Sequence, residues 1–226
     1  MSRMTKEELR HDSFVEGTAR VTHYVQQNFM TVLLGLAVVA ALVVGGVFMK
    51  QSRERSRAQA SQLMHQATSL YGSGAYSDGL LKLDDLVSRY GGTPEGKAAV
   101  YFAGASHLAL GENDAAIERF REYLANEPEG TYVNSARAGL GLALEGRGDL
   151  ADAAQAFREL RESLEPEESF YAQAAFGEAR ALRGLGQLDA AIQVLEPLTA
   201  AQDFSIRQDA EAKIAVLKAM AQTSAL

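Results

Sequence analysis

From Val21 to Met49 the chain carries no Lys, Arg, Asp or Glu, and from Phe29 the run FMTVLLGLAVVAALVVGGVFM is apolar almost throughout. At about 1.5 Å of rise per residue such a run makes a helix of roughly 31 Å, close to the roughly 30 Å hydrocarbon core of a bilayer. The pattern predicts one membrane-spanning helix over 29–49, with residues 1–28 on one side and 50–226 on the other. Ahead of it, Phe14, Thr18, Val21 and Val25 recur at helical spacing among alternating charges, which predicts a short amphipathic lead-in. Within it, Ala37, Ala41 and Gly45 share one face, where small side chains let a second helix approach closely.

Beyond residue 57 the pattern becomes periodic. Gly74, Gly111, Gly148 and Gly186 are spaced 37, 37 and 38 residues apart, each between two stretches of helical periodicity. Their neighbours repeat as well. Seven residues upstream stands a small residue (Ala67, Gly104, Gly141, Ala179), five downstream another (Gly79, Ala116, Ala153, Ala191), and nine downstream a large apolar one (Leu83, Phe120, Phe157, Leu195). This is a helix-turn-helix unit made four times. Antiparallel helices approach to the short end of their usual separation only where small side chains meet. The glycine ends the first helix in a left-handed cap. Asp78, Asp114, Asp152 and Asp189 then fall near the start of the second helix, where a carboxylate satisfies free amides and opposes the dipole. One unit cannot bury its apolar face alone, so the units stack into a solenoid. Ser205 to Gln222 reads as a closing helix with Ile214, Leu217 and Met220 inward. The organisation predicted is a tail (1–28), a span (29–49), a basic collar (50–57) and a repeat domain (58–222).

Charge sharpens this division. From Ala58 onward there are 14 Lys plus Arg against 24 Asp plus Glu, so the repeat domain repels phosphate backbones and nucleic acid is excluded as a partner. The collar is the opposite: Lys50, Arg53, Arg55 and Arg57 lie at headgroup height, where they attract anionic lipid. Absence of cysteine excludes disulfides, thiolate catalysis and Cys-ligated zinc. Acidic residues precede the apolar run, and the first Ala-x-Ala beyond it, Ala58 to Ala60, is far downstream, so an uncleaved anchor is favoured over a cleaved signal. Lys and Arg are balanced on the two sides of the span, and their proximity leans toward a cytoplasmic collar.

In LALGENDAAIERFREYLANEP, Gly111, Ala116, Phe120 and Pro128 stand at the turn, packing and stop positions of the tetratricopeptide repeat, and Gly148, Ala153 and Phe157 do so in LEGRGDLADAAQAF. The chain thus resembles that family. The outer two units match less well: Gly79 stands where alanine is usual, and Pro197 lies inside the fourth unit's second helix, which must end or kink near Glu196. The resemblance implies an all-α chain, one N-terminal transmembrane helix followed by a right-handed solenoid of about four helix pairs and a C-terminal capping helix. With its single anchor and short tail it is similar to the YfgM-type ancillary subunits of the SecYEG translocon, a fold family that includes the repeat domain of the division coordinator CpoB. That similarity implies a cytoplasmic N-terminus, periplasmic repeats and partners among translocon subunits and periplasmic chaperones. It opposes the lean of the charge rule and is followed here. The alternative is a structural part of envelope assembly or division, self-associating through Ala37, Ala41 and Gly45.

Candidate chemistry is sparse. The run GGTPEGK, Gly91 to Lys97, satisfies the G-x-x-x-x-G-K of a phosphate-binding loop, but Ala98 replaces the magnesium-ligating hydroxyl and a helix precedes it, so it reads as an inter-repeat turn and not a nucleotide site. His11, His23, His65 and His107 form no metal-ligand spacing, and His107 reads as a packing residue. Adjacent acids such as Asp84-Asp85 and Glu167-Glu168 diverge on a helix and read as surface. No catalytic residue, metal or cofactor is predicted. The family resemblance instead implies a groove lined by the first helix of each pair, at Met64, Tyr71, Tyr101, Leu108, Glu145, Phe176, Arg180 and Arg183. Its aromatic groups and arginines suit an amphipathic segment or an acidic peptide end, though Tyr and Phe there also serve to seal adjacent repeats.

If the register is right, Ala153→Leu overpacks a helix pair and costs about 1–3 kcal/mol in urea unfolding; an unchanged midpoint would put the register in error.

Overall fold

A computed structural model describes the chain over residues 27–224. The amphipathic lead-in expected over 1–28, with Phe14, Thr18, Val21 and Val25, lies almost wholly outside the described residues. Among the described residues nine α-helices follow in order: α1 (Phe29–Gly72), α2 (Tyr76–Tyr90), α3 (Pro94–Ala109), α4 (Asn113–Asn126), α5 (Val133–Arg147), α6 (Leu150–Glu162), α7 (Ser169–Gly184), α8 (Leu188–Leu195) and α9 (Phe204–Ser224). No strand occurs among the described residues. The chain divides into two compact units, with the boundary after Arg55.

In the first unit, α1 contains a segment long and apolar enough to cross a membrane. From Phe29 to Arg55 every described side chain is exposed, including Leu34, Leu42, Val44 and Phe48.

The second unit is the all-helical repeat array that the period predicts. Its helices are punctuated by a single device. Gly74, Gly111, Gly148 and Gly186 take φ of 81°, 75°, 94° and 76°, and no other described residue has positive φ. Each glycine N–H donates to the carbonyl three residues back (Tyr71, Leu108, Glu145, Arg183), and the next N–H donates to the carbonyl five residues back (Leu70, His107, Leu144, Leu182). That is a Schellman closure, and a β-carbon would strain the left-handed backbone it requires. The four aspartates stand in the first turn of α2, α4, α6 and α8, opposing the dipole as expected. They do not act as caps: the N-cap positions are Ala75, Glu112, Asp149 and Gln187, and none of these side chains makes a cap hydrogen bond. The chain leaves each glycine already turned into the next helix, so backbone geometry starts it without a side-chain cap.

Packing follows the same period. Successive helices from α2 to α9 pack on one another, and the first helices of neighbouring repeats also touch, α3 on α5, α5 on α7 and α7 on α9. The residues read as small and large converge at the centre: Ala67, Ala116, Ala153 and Ala191 are fully buried, as are Leu83, Phe120, Phe157 and Leu195 to within 1 %. Phe120 and Phe157 are knobs seated on glycine. A β-carbon on Gly104 would stand 2.9 Å from the Phe120 ring, and one on Gly139 of the next repeat would strike the same ring. Phe157 is held likewise between Gly141 and Gly177, where a β-carbon would meet it at 2.7 Å. In the outer repeats Leu83 and Leu195 replace the phenylalanines, and Ala67 and Ala179 replace Gly104 and Gly141. Smaller knobs thus accompany larger seats, and side-chain volume is conserved. At Gly79 a β-carbon would meet Ala67, Leu70 and Tyr71 only at ordinary contact distances of 3.6–3.8 Å, so the site is sized for the alanine that the other repeats carry.

The termini of the elements obey the proline and threonine signals. Pro197 ends α8 at Leu195 and opens a 3₁₀ turn over Glu196–Ala200. Thr93 caps α3 through Gly96 N–H at 3.1 Å, with Pro94 at the first helical position. GGTPEGK is therefore the turn joining α2 to α3 together with the first turn of α3. A β-carbon on Gly96 would collide with the Tyr90 carbonyl, so close backbone approach sets that glycine, and Lys97 Nζ bonds Glu127 at 2.6 Å.

The knob-and-seat fit predicts compensation. Gly141→Ala should lower stability by about 1–3 kcal/mol, and adding Phe157→Leu, the pairing of the outer repeats, should recover part of that loss. A double-mutant cycle in urea checks this; purely additive losses would show that the two residues do not share a contact.

Candidate binding cleft

The first helix of each pair carries the eight predicted groove residues, and the structure distributes them into distinct settings. Met64 is half-buried against a small core that includes Ala60, Leu83 and Leu86, and Leu108 is half-buried against the main core. Tyr71 and Tyr101 join an aromatic ladder. The Tyr71 ring meets Phe102 edge-on at 5.7 Å, and Tyr101 meets Phe102 at 5.1 Å and stacks flat on Tyr132 of the next repeat at 4.7 Å. Burial pushes the Tyr101 phenol up from its ordinary pKa. These tyrosines seal repeats to one another, each such pair contributing about 0.5–1.5 kcal/mol beyond its buried area.

Glu145, Phe176, Arg180 and Arg183 have a different setting. Phe176, Arg180 and Arg183 line one wall of a cleft of 340 Å³ between α7 and α9, with Asp209, Lys213 and Val216 on the other wall. Its floor is apolar, made by Ala179, Leu195 and Leu217. Lys213 Nζ lies 5.0 Å from the centre of the Phe176 ring and bonds Asp209 at 2.5 Å. Arg180 is engaged by Glu145 of the preceding repeat: Nε and a terminal nitrogen donate to the two carboxylate oxygens at 2.5 Å each. This fork holds the Arg180 pKa above its ordinary value.

Further ion pairs stitch the repeats. Arg119 bonds Asp84 at 3.1 Å and Arg147 bonds Asp114 at 3.0 Å, each reaching into the preceding unit. His107, read from sequence as a packing residue, brings Nδ1 to 2.6 Å from Glu112 beyond the turn. The most consequential pairing was missed. Glu178 is 1 % exposed and accepts from Arg158 Nε at 2.9 Å and Arg161 Nε at 2.8 Å, tying α7 to α6. A signal for it existed: the residue eight positions before each turn glycine is Gln66, Ala103, Leu140 and then Glu178, the only charge in the set.

A stacked set of helix pairs, stapled across its units and open along a cleft of mixed apolar and basic lining, is a helical-repeat scaffold. The chain matches the tetratricopeptide repeat over residues 65–131, 106–168 and 139–206, and so belongs to that family. Among solved structures, the nearly identical TPR-like repeats of a putative kinesin light chain from Podosopora anserina superpose with a TM-score of 0.62 at 17% identity, covering 74% of this chain and 89% of that one. MamA AMB-1 gives 0.56 at 17% identity, covering 73% and 84%. A thermophilic TPR protein of Thermus thermophilus, TTC0263, gives 0.50 at 21% identity, covering 70% and 80%. These likenesses concern the fold. A search of curated proteins gives no significant match. Membership of the family makes the chain a scaffold for protein–protein interaction and settles the fold as all-α.

Because Glu178 is buried with two cations, its removal should cost far more than removal of a rim carboxylate. Glu178→Gln is expected to destabilise by about 2–3 kcal/mol, against less than about 1 kcal/mol for Glu145→Gln. Denaturation followed by circular dichroism measures both, and equal losses would contradict the assignment.

Proposed function

We propose that the chain is a non-enzymatic adaptor anchored in the inner membrane. Residues 1–28 form a cytoplasmic tail, 29–49 the span, 50–57 a collar on anionic lipid, and 58–222 a periplasmic repeat domain that links translocon subunits to a chaperone. The observation that carries the anchored reading is the apolar stretch of α1. Its described side chains bury nothing, although at about 25 cal/mol per Å² of apolar surface such a face gains strongly from an apolar solvent. The groove function is supported by the clustering of Phe176, Arg180 and Arg183 about one cleft. Tethering confines that cleft to the membrane surface and raises its effective concentration for partners there.

The chain has no cysteine, which permits a direct test of sidedness. Single cysteines at Ser13 and Ser224, probed in intact cells with an impermeant thiol reagent, should label at Ser224 only; labelling at Ser13 alone would overturn the periplasmic placement. Copurification should recover translocon subunits and a chaperone. Homodimers lost on Ala41→Leu and Gly45→Leu, without those partners, would favour the self-associating envelope component instead.

A further inference from the structure

The polar stitching of the array stops at α7. Each helix from α2 to α7 carries a side-chain ion pair to another element, as Arg119 does with Asp84, Lys97 with Glu127, Arg147 with Asp114, Arg180 with Glu145 and Arg161 with Glu178. Among the described residues α9 has no such pair. Lys213 bonds Asp209 within the helix, Thr223 donates to the Ala219 carbonyl, and Arg207 donates to the carbonyl of Ala201 in the loop before it. What holds α9 to the stack is apolar burial of Ala210, Ile214 and Leu217, with Lys213 reaching across to the Phe176 ring. α9 also meets α7 more sparingly than α7 meets α5 or α5 meets α3, and the 340 Å³ cleft is the space left between them. The loop before α9 has the form of a pivot. On one side Leu198, 3% exposed, is fixed in the core. On the other Asp203 caps α9, its carboxylate accepting from the N–H groups of Ser205 at 2.8 Å and Ile206 at 3.2 Å. Between these two anchors Ala200 and Gln202 are exposed.

We propose that α9 is a lid with two positions, open as described above and closed with α9 packed directly on α7. What covers the apolar wall of the cleft is then α7 of the same chain. Val216, 53% exposed, shares the cleft with Phe176 and Ala179. It lies three residues beyond Lys213, as Ala179 lies three beyond Phe176, so the contact of Lys213 with Phe176 sets a register in which Val216 meets a small residue. Ala212 on the same wall leaves room for the approach. Closure thus buries an aliphatic group that the open position leaves in water, and it does so by eliminating the cleft. Charge does not oppose it, because Glu145 answers Arg180 and Asp209 answers Lys213, while Arg183 is exposed in the last turn of α7. A partner that occupies the cleft has to hold α9 open, and its apparent affinity falls with the fraction of lids that are closed. That consequence rests on the scaffold reading of the repeats, whereas the movement itself does not.

The test uses the full chain in nanodiscs with spin labels on Gln173→Cys in α7 and Lys218→Cys in α9, both exposed positions in a chain without cysteine of its own. Double electron–electron resonance should resolve two distances. Val216→Leu should shift the populations toward the shorter by about threefold or more, and Val216→Asp toward the longer by a similar factor. A single distance that neither substitution alters would overturn the lid, and so would a shift toward the shorter distance on Val216→Asp. The chain labelled at Lys218→Cys alone tests for association. A distance in that sample, lost on Val216→Asp, would assign the apolar wall to a second copy and overturn the proposal as well. Circular dichroism of each variant separates a shifted lid from a lost fold, and if Val216→Asp loses the fold, the direction of the Val216→Leu shift decides. Failure here together with recovery of translocon subunits on copurification would remove the lid and leave the adaptor reading standing.

Discussion

The repeat array depends on two phenylalanine rings lying against backbone. Phe120 and Phe157 each project from the second helix of a pair and contact both that pair's first helix and the first helix of the next repeat, at points where glycine leaves no side chain in the way. One ring therefore sets two distances at once, the spacing within a repeat and the spacing between repeats. Interiors pack at crystal-like density, so a ring clamped on both faces and 1 % exposed has nowhere to retreat. That fixed distance is what lets Tyr101 stack on Tyr132, and Arg180 reach Glu145, across the repeat boundary. The outer repeats keep the arrangement with leucine on alanine. What the fold requires at these positions is a sum of volumes, not particular residue types.

Polar bonds play a second part that the apolar period cannot. Interdigitating alanines and leucines specify that helices pack closely but discriminate poorly among neighbouring registers along the helix axis. The pair of arginines on Glu178 adds that discrimination between α6 and α7. A slip of one turn would carry one of the two arginines out of reach and leave the buried carboxylate half-satisfied, which is costly. Arg119 with Asp84 and Arg147 with Asp114 make similar links between other units, but they are more exposed and correspondingly weaker. The strongest registration thus lies between the third and fourth repeats, the part of the array that bears the cleft.

Most of the architecture was legible in the sequence because backbone requirements leave residue-type signatures. Left-handed φ at four sites demanded four glycines, and their spacing alone gave the helix order. Pro197 marked its own helix end. The small and large residues around each glycine gave the packing register, since the physical demand of close approach admits few side chains. The site was legible only in part. The family resemblance picked out Phe176, Arg180 and Arg183 on one helix, but it and the periodicity describe each repeat alone. It does not say which repeats' side chains meet, so it could not show that Glu145 would be spent on Arg180, that Tyr101 would be covered by Tyr132, or that α9 would supply the second wall. The aspartates after each turn misled in detail for a related reason: composition identified their place on the dipole, while the amide bonding they were expected to provide depends on backbone entry geometry.

The closing helix shows where folding requirements stop. Ala210, Ile214 and Leu217 of α9 are buried against the stack, whereas Met220, expected from the sequence to face inward with them, is 43% exposed. Glu211, Ala215 and Lys218 on another face of α9 are exposed, and two of the three are charged. A cap designed only for solubility would be polar at Val216 and Met220 too, because exposed aliphatic groups beside a trough invite association. Exposure of these two residues cannot be traced to the packing of the repeats, since their neighbours Ile214 and Leu217 already close the core. A face left apolar beside Arg183 and Lys213 is thus the part of α9 whose composition the packing of the repeats does not account for.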